Sequence, residues 1–244
     1  AEAARPPADP WGDACIAVTD QKLEVRLSGR DWQNYHLQGW CQMALERLPV
    51  LARSLPVDLD ISNNQISDAG VDHLVNCLTS SELAGVRLSS LKLHRNRLEK
   101  GSGKTLARML VAMGRTRRMA LEELHLSHNL LGMEGICSLL EGLAQAGEGD
   151  RPLYPSPNRP PLWLRVECNG HPQRPGHEFL DEVGPRLGEL RRQRGWLAED
   201  STAKLLCLCY YREDAQKGSC KGNSKEGCSK RRCAFQTPEG PLAH

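Results

Sequence analysis

The amino-acid sequence predicts an α/β solenoid. Parallel strands would line a concave face, helices a convex face, and a small cysteine-rich tail would follow. Three observations carry that expectation. The phrase Leu88-Ser-Ser-Leu-Lys-Leu-His-Arg-Asn-Arg-Leu98 returns as Leu121-Glu-Glu-Leu-His-Leu-Ser-His-Asn-Leu-Leu131. A shorter form opens at Leu59 and a weaker one at Leu164, so Asn64, Asn96, Asn129 and Asn169 recur at intervals of 32, 33 and 40 residues. Between the phrases, apolar residues fall at helical spacing. Self-similarity at such a period marks stacked strand–helix units, each burying one face against its neighbours.

Composition agrees. The chain has 244 residues, 39% hydrophobic and 25% charged, enough for a sizeable core. It holds only five Trp, four Tyr and two Phe, so the core should be aliphatic. No apolar stretch approaches about 18 consecutive residues, so no transmembrane helix is expected. Residues 1–12 carry no basic region followed by an apolar one, so no secretory leader is read. Net charge is +2 but uneven: residues 202–244 hold eight Lys and Arg against four Asp and Glu. Of the ten cysteines, five crowd between residues 207 and 233. Of the others, Cys41, Cys77 and Cys137 sit in helical stretches where a small buried residue would do, which points to a reducing compartment, cytoplasmic or nuclear.

Taken in order, residues 1–14 are Pro- and Ala-rich and should form a flexible arm. Residues 15–54 read as an N-terminal cap. Ile16–Val18 and Leu23–Leu27 are strands about a polar turn, the second alternating apolar and polar. Leu37, Trp40, Cys41, Ala44 and Leu48 line one face of a helix that Pro49 should end or kink. This unit lacks the repeat asparagine. Residues 55–200 hold the repeats and a closing helix. After Asn64, Ser67 or Asp68 should cap a helix carrying Val71, Leu74, Val75 and Leu78. After Asn96 the stripe is Leu106, Leu110 and Met113. After Asn129 it is Ile136, Leu139, Leu140 and Leu143. Each asparagine sits where the chain leaves its strand, and its amide should bond the backbone of neighbouring turns. Residues 147–161 contain five prolines and should be extended without regular hydrogen bonding. A helix from His177 to Arg194, kinked at Gly184-Pro185, would close the last layer with Trp196. Residues 201–244 are the basic, cysteine-rich tail.

The candidate site is the strand face turned away from the helices. Residues between the core leucines of successive strands should stack in columns about 4.8 Å apart. One column is Asp60, Lys92, His125 and Arg165. The next is Ser62, His94, Ser127 and Glu167, and the edge column is Asn63, Arg95, His128 and Cys168. Lys92, His94, Arg95, His125, His128, Trp163 and Arg165 are the candidate contacts to a protein partner. His94, His125, His128 and Cys168 are also metal-ligand types, but exposed, solvated histidines are the simpler reading. Lys100-Gly-Ser-Gly-Lys-Thr105 ends like a phosphate-binding loop. Leu98 stands where the first glycine of that loop would be, so the segment reads as the start of a helix. No nucleophile elbow, H-E-x-x-H or paired-carboxylate motif is present. The expectation is a non-enzymatic binding protein, with no membrane and no small-molecule substrate.

Residues from about 55 to 190 resemble the ribonuclease-inhibitor-like leucine-rich repeats, with L-x-x-L-x-L-x-x-N-x-L intact in the phrases at Leu88 and Leu121. The resemblance implies an α/β horseshoe and protein–protein binding. One branch, the Ran GTPase-activating proteins, regulates a GTPase. An enzyme regulator acting through Arg95 is therefore the alternative, and a purely structural assembly subunit is a third. The tail resembles a CCCH zinc finger of the C-x5–7-C-x4-C-x3-H kind. Cys220, Cys228 and Cys233 take the cysteine positions and Phe235 the usual aromatic. Thr237 stands at the histidine position, so the fourth zinc ligand would be Cys209, Cys207 or His244. The resemblance implies a bound zinc ion and RNA stacked on Phe235 and Tyr210 or Tyr211.

Overall fold

The computed structural model describes residues 15–116, 121–145, 147–148, 151–152, 162–166, 169, 206–209, 236–237 and 240–241. The elements run β1 (Ile16–Val18), β2 (Leu23–Arg26), α1 (Asn34–Ala52), β3 (Pro56–Asp60), α2 (Asp68–Leu78), β4 (Arg87–Lys92) and α3 (Lys100–Thr116). They continue as β5 (Glu123–His125), α4 (Gly132–Gln145), β6 (Gly147–Glu148), β7 (Arg151–Pro152), β8 (Leu162–Arg165), β9 (Leu206–Cys209), β10 (Gln236–Thr237) and β11 (Gly240–Pro241). The main sheet has seven strands in the order β1-β2-β3-β4-β5-β8-β9. β1 and β2 pair antiparallel; every later pair is parallel. The molecule is α/β with a mostly parallel sheet, as expected. No described helix is long and apolar enough to cross a membrane.

Strand periodicity explains the core. Leu59, Leu91, Leu124 and Leu164 stand in register across four strands, and each is at most 1% exposed. Leu88 and Leu91 are three residues apart, a spacing that would put them on opposite faces of a regular strand. Both are fully buried because the β3–β4 register shifts between Val57 and Asp58. Ser89 is the extra residue, and its Oγ donates to Val57 O at 3.1 Å and Asp58 Oδ1 at 2.6 Å. The double leucine of the repeat phrase is thus accommodated by a bulge.

The helices pack in chain order, α1 on α2, α2 on α3 and α3 on α4. Their apolar stripes join the strand leucines in one core. Leu37, Trp40, Cys41, Ala44 and Leu48 are all buried, as are Val71, Leu74, Val75, Leu78, Leu106, Leu110, Met113, Ile136, Leu139 and Leu140.

Three local expectations need correction. Pro49 does not end α1, which runs on to Ala52 and stops where Arg53 turns left-handed at φ 50°. Ser67 is the N-cap of α2 but makes no side-chain capping bond there. It is held instead by Asn34, whose Nδ2 donates to Ser67 Oγ at 2.7 Å and whose Oδ1 accepts from Ser67 N at 2.9 Å. Asp68 serves the next helix: its Oδ1 accepts from Glu99 N at 2.8 Å and from Ser102 Oγ, placing a carboxylate at the N-terminus of α3. The start of the proline-rich insertion does form regular hydrogen bonds, as the antiparallel ribbon β6–β7. Residues 1–14, the helix expected from His177 to Arg194, Trp196 and most of the tail lie outside the described residues.

The segment Lys100–Thr105 opens α3, and each of its small residues has a packing role. A Cβ on Gly103 would lie 2.1 Å from Gly135 O of α4, and one on Gly101 would lie 2.4 Å from Asp68 Oδ2. Thr105 Oγ donates to Asp72 Oδ1 at 2.7 Å. The glycines let backbones approach; they need no phosphate to explain them. Gly103→Ala should separate α3 from α4 and lower stability by about 1–3 kcal/mol. A urea midpoint equal to that of the parent would show that the contact yields freely.

Candidate functional site

The site is built on four buried asparagines. Asn64 Oδ1 accepts from Arg30 N and Trp32 N, both at 3.0 Å, while its Nδ2 donates to Leu27 O at 2.9 Å and Ile61 O at 3.0 Å. Asn96 Oδ1 accepts from Ile66 N at 3.0 Å, and its Nδ2 donates to Ile61 O and Leu93 O. Asn129 Oδ1 accepts from Asn96 N at 3.1 Å and Leu98 N at 3.2 Å, and its Nδ2 donates to Leu93 O and Leu126 O at 3.0 Å. Asn169 repeats the pattern on Leu131 N, Leu126 O and Val166 O. Each amide therefore ties its own turn to the one before. A strand exit leaves backbone groups that water cannot reach, and the amide is the one side chain that both donates and accepts there.

The ladder fixes the exit geometry one residue earlier. Asn63, Arg95 and His128 are left-handed at φ 54°, 53° and 55°, and Gly29 precedes them at φ 68°. In that conformation Gly29 N, Asn63 N and Arg95 N reach Ser62 O, His94 O and Ser127 O at 2.9–3.0 Å. Glycine and asparagine tolerate such a backbone; arginine and histidine adopt it at a cost of order 1 kcal/mol.

Upstream of the exits, the residues that alternate with the core leucines fall into two registered columns. One is Glu24, Asp58, Ser90, Glu123, Trp163 and Cys207. The other is Arg26, Asp60, Lys92, His125, Arg165 and Cys209. Lys22 Nζ bridges Glu24 at 2.7 Å and Asp58 at 2.8 Å, and Arg26 also pairs with Glu24. Hydrogen bonds donated by Lys22 and Arg26 hold the Glu24 carboxyl below its ordinary range, and those that Lys22 donates to Asp58 and Glu24 raise its own ammonium. Asp60 Oδ1 accepts from Ser62 N at 2.9 Å and Ser62 Oγ at 2.6 Å. Lys92 Nζ lies 3.6 Å from Glu123 Oε2, which also accepts from Ser90 Oγ at 2.9 Å.

The histidines depart from expectation. The rings of His94 and His125 stack with centroids 4.0 Å apart and planes 18° from parallel. His125 is only 7% exposed, and its Nε2 shares a 2.7 Å hydrogen bond with Ser127 Oγ. His94 is half-buried, and its Nδ1 is buried without a hydrogen-bond partner among the described residues. Burial, with Arg165, Arg95 and Lys92 nearby and Asp60 opposing, lowers His94 to about 4. Burial, then His94, Arg165, Lys92 and His128, lowers His125 to about 2. His128 is exposed at its backbone turn yet also lowered, by burial of the ring and by Arg95 and Arg165. These are neutral imidazoles walled by cations, not the solvated histidines the column pattern suggests.

Of the expected contact residues, Lys92, His94 and Arg165 are half-buried, Arg95 and His128 exposed, and His125 buried. Trp163 stands in register between Glu123 and Cys207, and Cys209 beside Arg165 in the last strand. Tyr210, Cys220, Cys228, Cys233 and Phe235 lie outside the described residues. Among the described residues, no group of three His, Cys, Asp or Glu is placed to hold a metal ion. Sequence reasoning missed Glu24 and Arg26 as members of the columns. Their alternation with Leu23 and Val25 was the signal, because it continues the face across the cap. No protein-family model matches the chain, and no curated protein matches it.

Proposed function

We propose that the chain is a non-enzymatic binding protein: a short leucine-rich-repeat solenoid that receives a protein partner across the exposed face of its parallel sheet. The single observation that carries this reading is the column Arg26, Asp60, Lys92, His125 and Arg165, in register over five adjacent strands on the face opposite the core leucines. A polar side chain held in rank by a hydrogen-bonded sheet loses little entropy on binding, so a weak contact at each position adds to a useful affinity. Arg95 and His128 support the same reading. They occupy left-handed positions where glycine or asparagine would be less strained. Strain kept on the rim of a binding face is accounted for when the side chain does something there.

The test is site-directed photocrosslinking. A benzoylphenylalanine at position 60, on the strand face, should give a discrete adduct with a cellular protein. The same group at position 108, on the exposed surface of α3, should not. Adducts from position 108 alone would move the binding surface to the helices.

A further inference from the structure

We infer that Cys41 of α1 and Cys77 of α2 form a reversible dithiol–disulfide site, in which a hydroperoxide closes a bond that clamps the N-terminal cap to the first repeat.

The two side chains meet across one helix pair. α1 packs on α2. Cys41 and Cys77 are 6% and 5% exposed, and both are thiols. Cys77 Sγ lies 3.5 Å from Cys41 O, and the two side chains hydrogen-bond each other. A disulfide forms most readily where two cysteines already bring their side chains together, because the backbone then has little distance to cover. Packing alone does not ask for a thiol here. The residue thirteen positions after the register asparagine is Cys77 in one repeat and Met109 and Gly142 in the next two.

The pair is asymmetric. The hydrogen bond donated by Cys41 favours the thiolate on Cys77 and lowers it, against burial and Glu82. The same bond, with burial, holds Cys41 in its thiol form. Cys77 is therefore the attacking sulfur and Cys41 the resolving one. Cys77 is also the next-to-last residue of α2, whereas Cys41 lies inside α1. A helix end opens more readily than its middle, which gives a small oxidant its way in.

Hydrogen peroxide, the smallest hydroperoxide, serves as the oxidant. The Cys77 thiolate attacks one peroxide oxygen. An S–O bond forms, the O–O bond breaks, and hydroxide leaves and takes a proton to become water. Cys77 is then a sulfenic acid. The Cys41 sulfur attacks the Cys77 sulfur. The S–S bond forms, the S–O bond breaks, and the hydroxyl leaves as water with the Cys41 proton. The two sulfurs have together given up two electrons, and the peroxide has become two waters. A dithiol reductant returns the electrons and reopens the bond. In a reducing medium such a disulfide is transient, as a redox-sensing bond must be. While it lasts, the cap cannot separate from the repeat it shields, and the unfolded chain loses the freedom of a loop.

The experiment treats the folded full chain with hydrogen peroxide, blocks remaining thiols with N-ethylmaleimide and digests with trypsin. Cleavage after Arg30, Arg47, Arg53 and Arg87 releases residues 31–47 and 54–87, whose single cysteines are Cys41 and Cys77. These peptides should be found linked, less two hydrogens, and dithiothreitol should part them. In Cys41→Ser, dimedone should trap the peroxide-oxidised Cys77 at least about tenfold faster than it traps Cys41 in Cys77→Ser. The oxidised parent should unfold at a higher urea midpoint than the reduced parent, and neither serine variant should gain. Circular dichroism checks that both variants fold. Linkage confined to other cysteines, or formed in urea but not in the folded chain, overturns the site. Equal trapping rates overturn the assignment of the two roles, and a linked chain with an unchanged midpoint overturns the clamp.

Discussion

Asn129→Ala should cost about 4 kcal/mol of folding stability, a large share of what a chain of this size has to lose. Truncation removes the acceptor for Asn96 N and Leu98 N and the donor to Leu93 O, Leu126 O and Ser127 O, all within 3.0–3.3 Å. Those groups lie between packed turns where water does not replace the amide, since Asn129 is 3% exposed. A buried N–H left unpaired costs roughly 1–3 kcal/mol, and two are orphaned here. The comparison is Asn76→Ala on the exposed side of α2, expected within about 0.5 kcal/mol of the parent. Urea unfolding of the two variants decides the matter. Equal midpoints would mean that the asparagine ladder follows the fold and does not hold it.

Acidification should be the next largest effect. Unfolded, His94 and His125 titrate near the ordinary value of about 6.5. Folded, burial holds them at about 4 and about 2. Between pH 6.5 and 4 the unfolded chain therefore binds more protons than the folded one, and stability falls as pH falls. The contribution is fully present above about pH 7 and is progressively lost below it. At pH 5 the buried His125 should account for roughly 2 kcal/mol, and the half-buried His94 for about 1 after allowing for solvent on its open side. Denaturant unfolding at pH 7 and pH 5, for the parent and for the His94→Gln/His125→Gln double variant, separates this pair from the other histidines. His36 and His128 are also lowered, and both stay in the double variant. A pH loss as large in the double variant as in the parent would remove the stacked pair from the account.

Much of the fold was legible because it rests on local periodicity. The leucine register, the helix stripes and the recurring asparagines each state a burial pattern that one strand–helix unit satisfies only by stacking on the next. The columns of the candidate face followed from the same register, and Asp60, Lys92, His125 and Arg165 do stand side by side. What went astray depends on partners from other units. Asp68 looked like a cap for its own helix and instead caps α3, because the carboxylate of one turn lies over the helix start of the next. His125 looked exposed by its place in an alternating strand. With Lys92 and Arg165 in register on either side and His94 stacked on it, the ring is nearly dry. Glycines that resembled part of a phosphate loop prove to be the points where α3 touches Asp68 and α4.

The sequence by itself determined the α/β class, the succession of the repeating strands, and that Asp60, Lys92, His125 and Arg165 stand side by side on one face. Those follow from the period of apolar residues, a property each segment carries alone. Only the tertiary structure decided which of those face residues are wet, which are neutral and which charges are already paired. Burial and Coulomb energy depend on distances between segments some thirty residues apart, and those distances exist only once the turns have stacked.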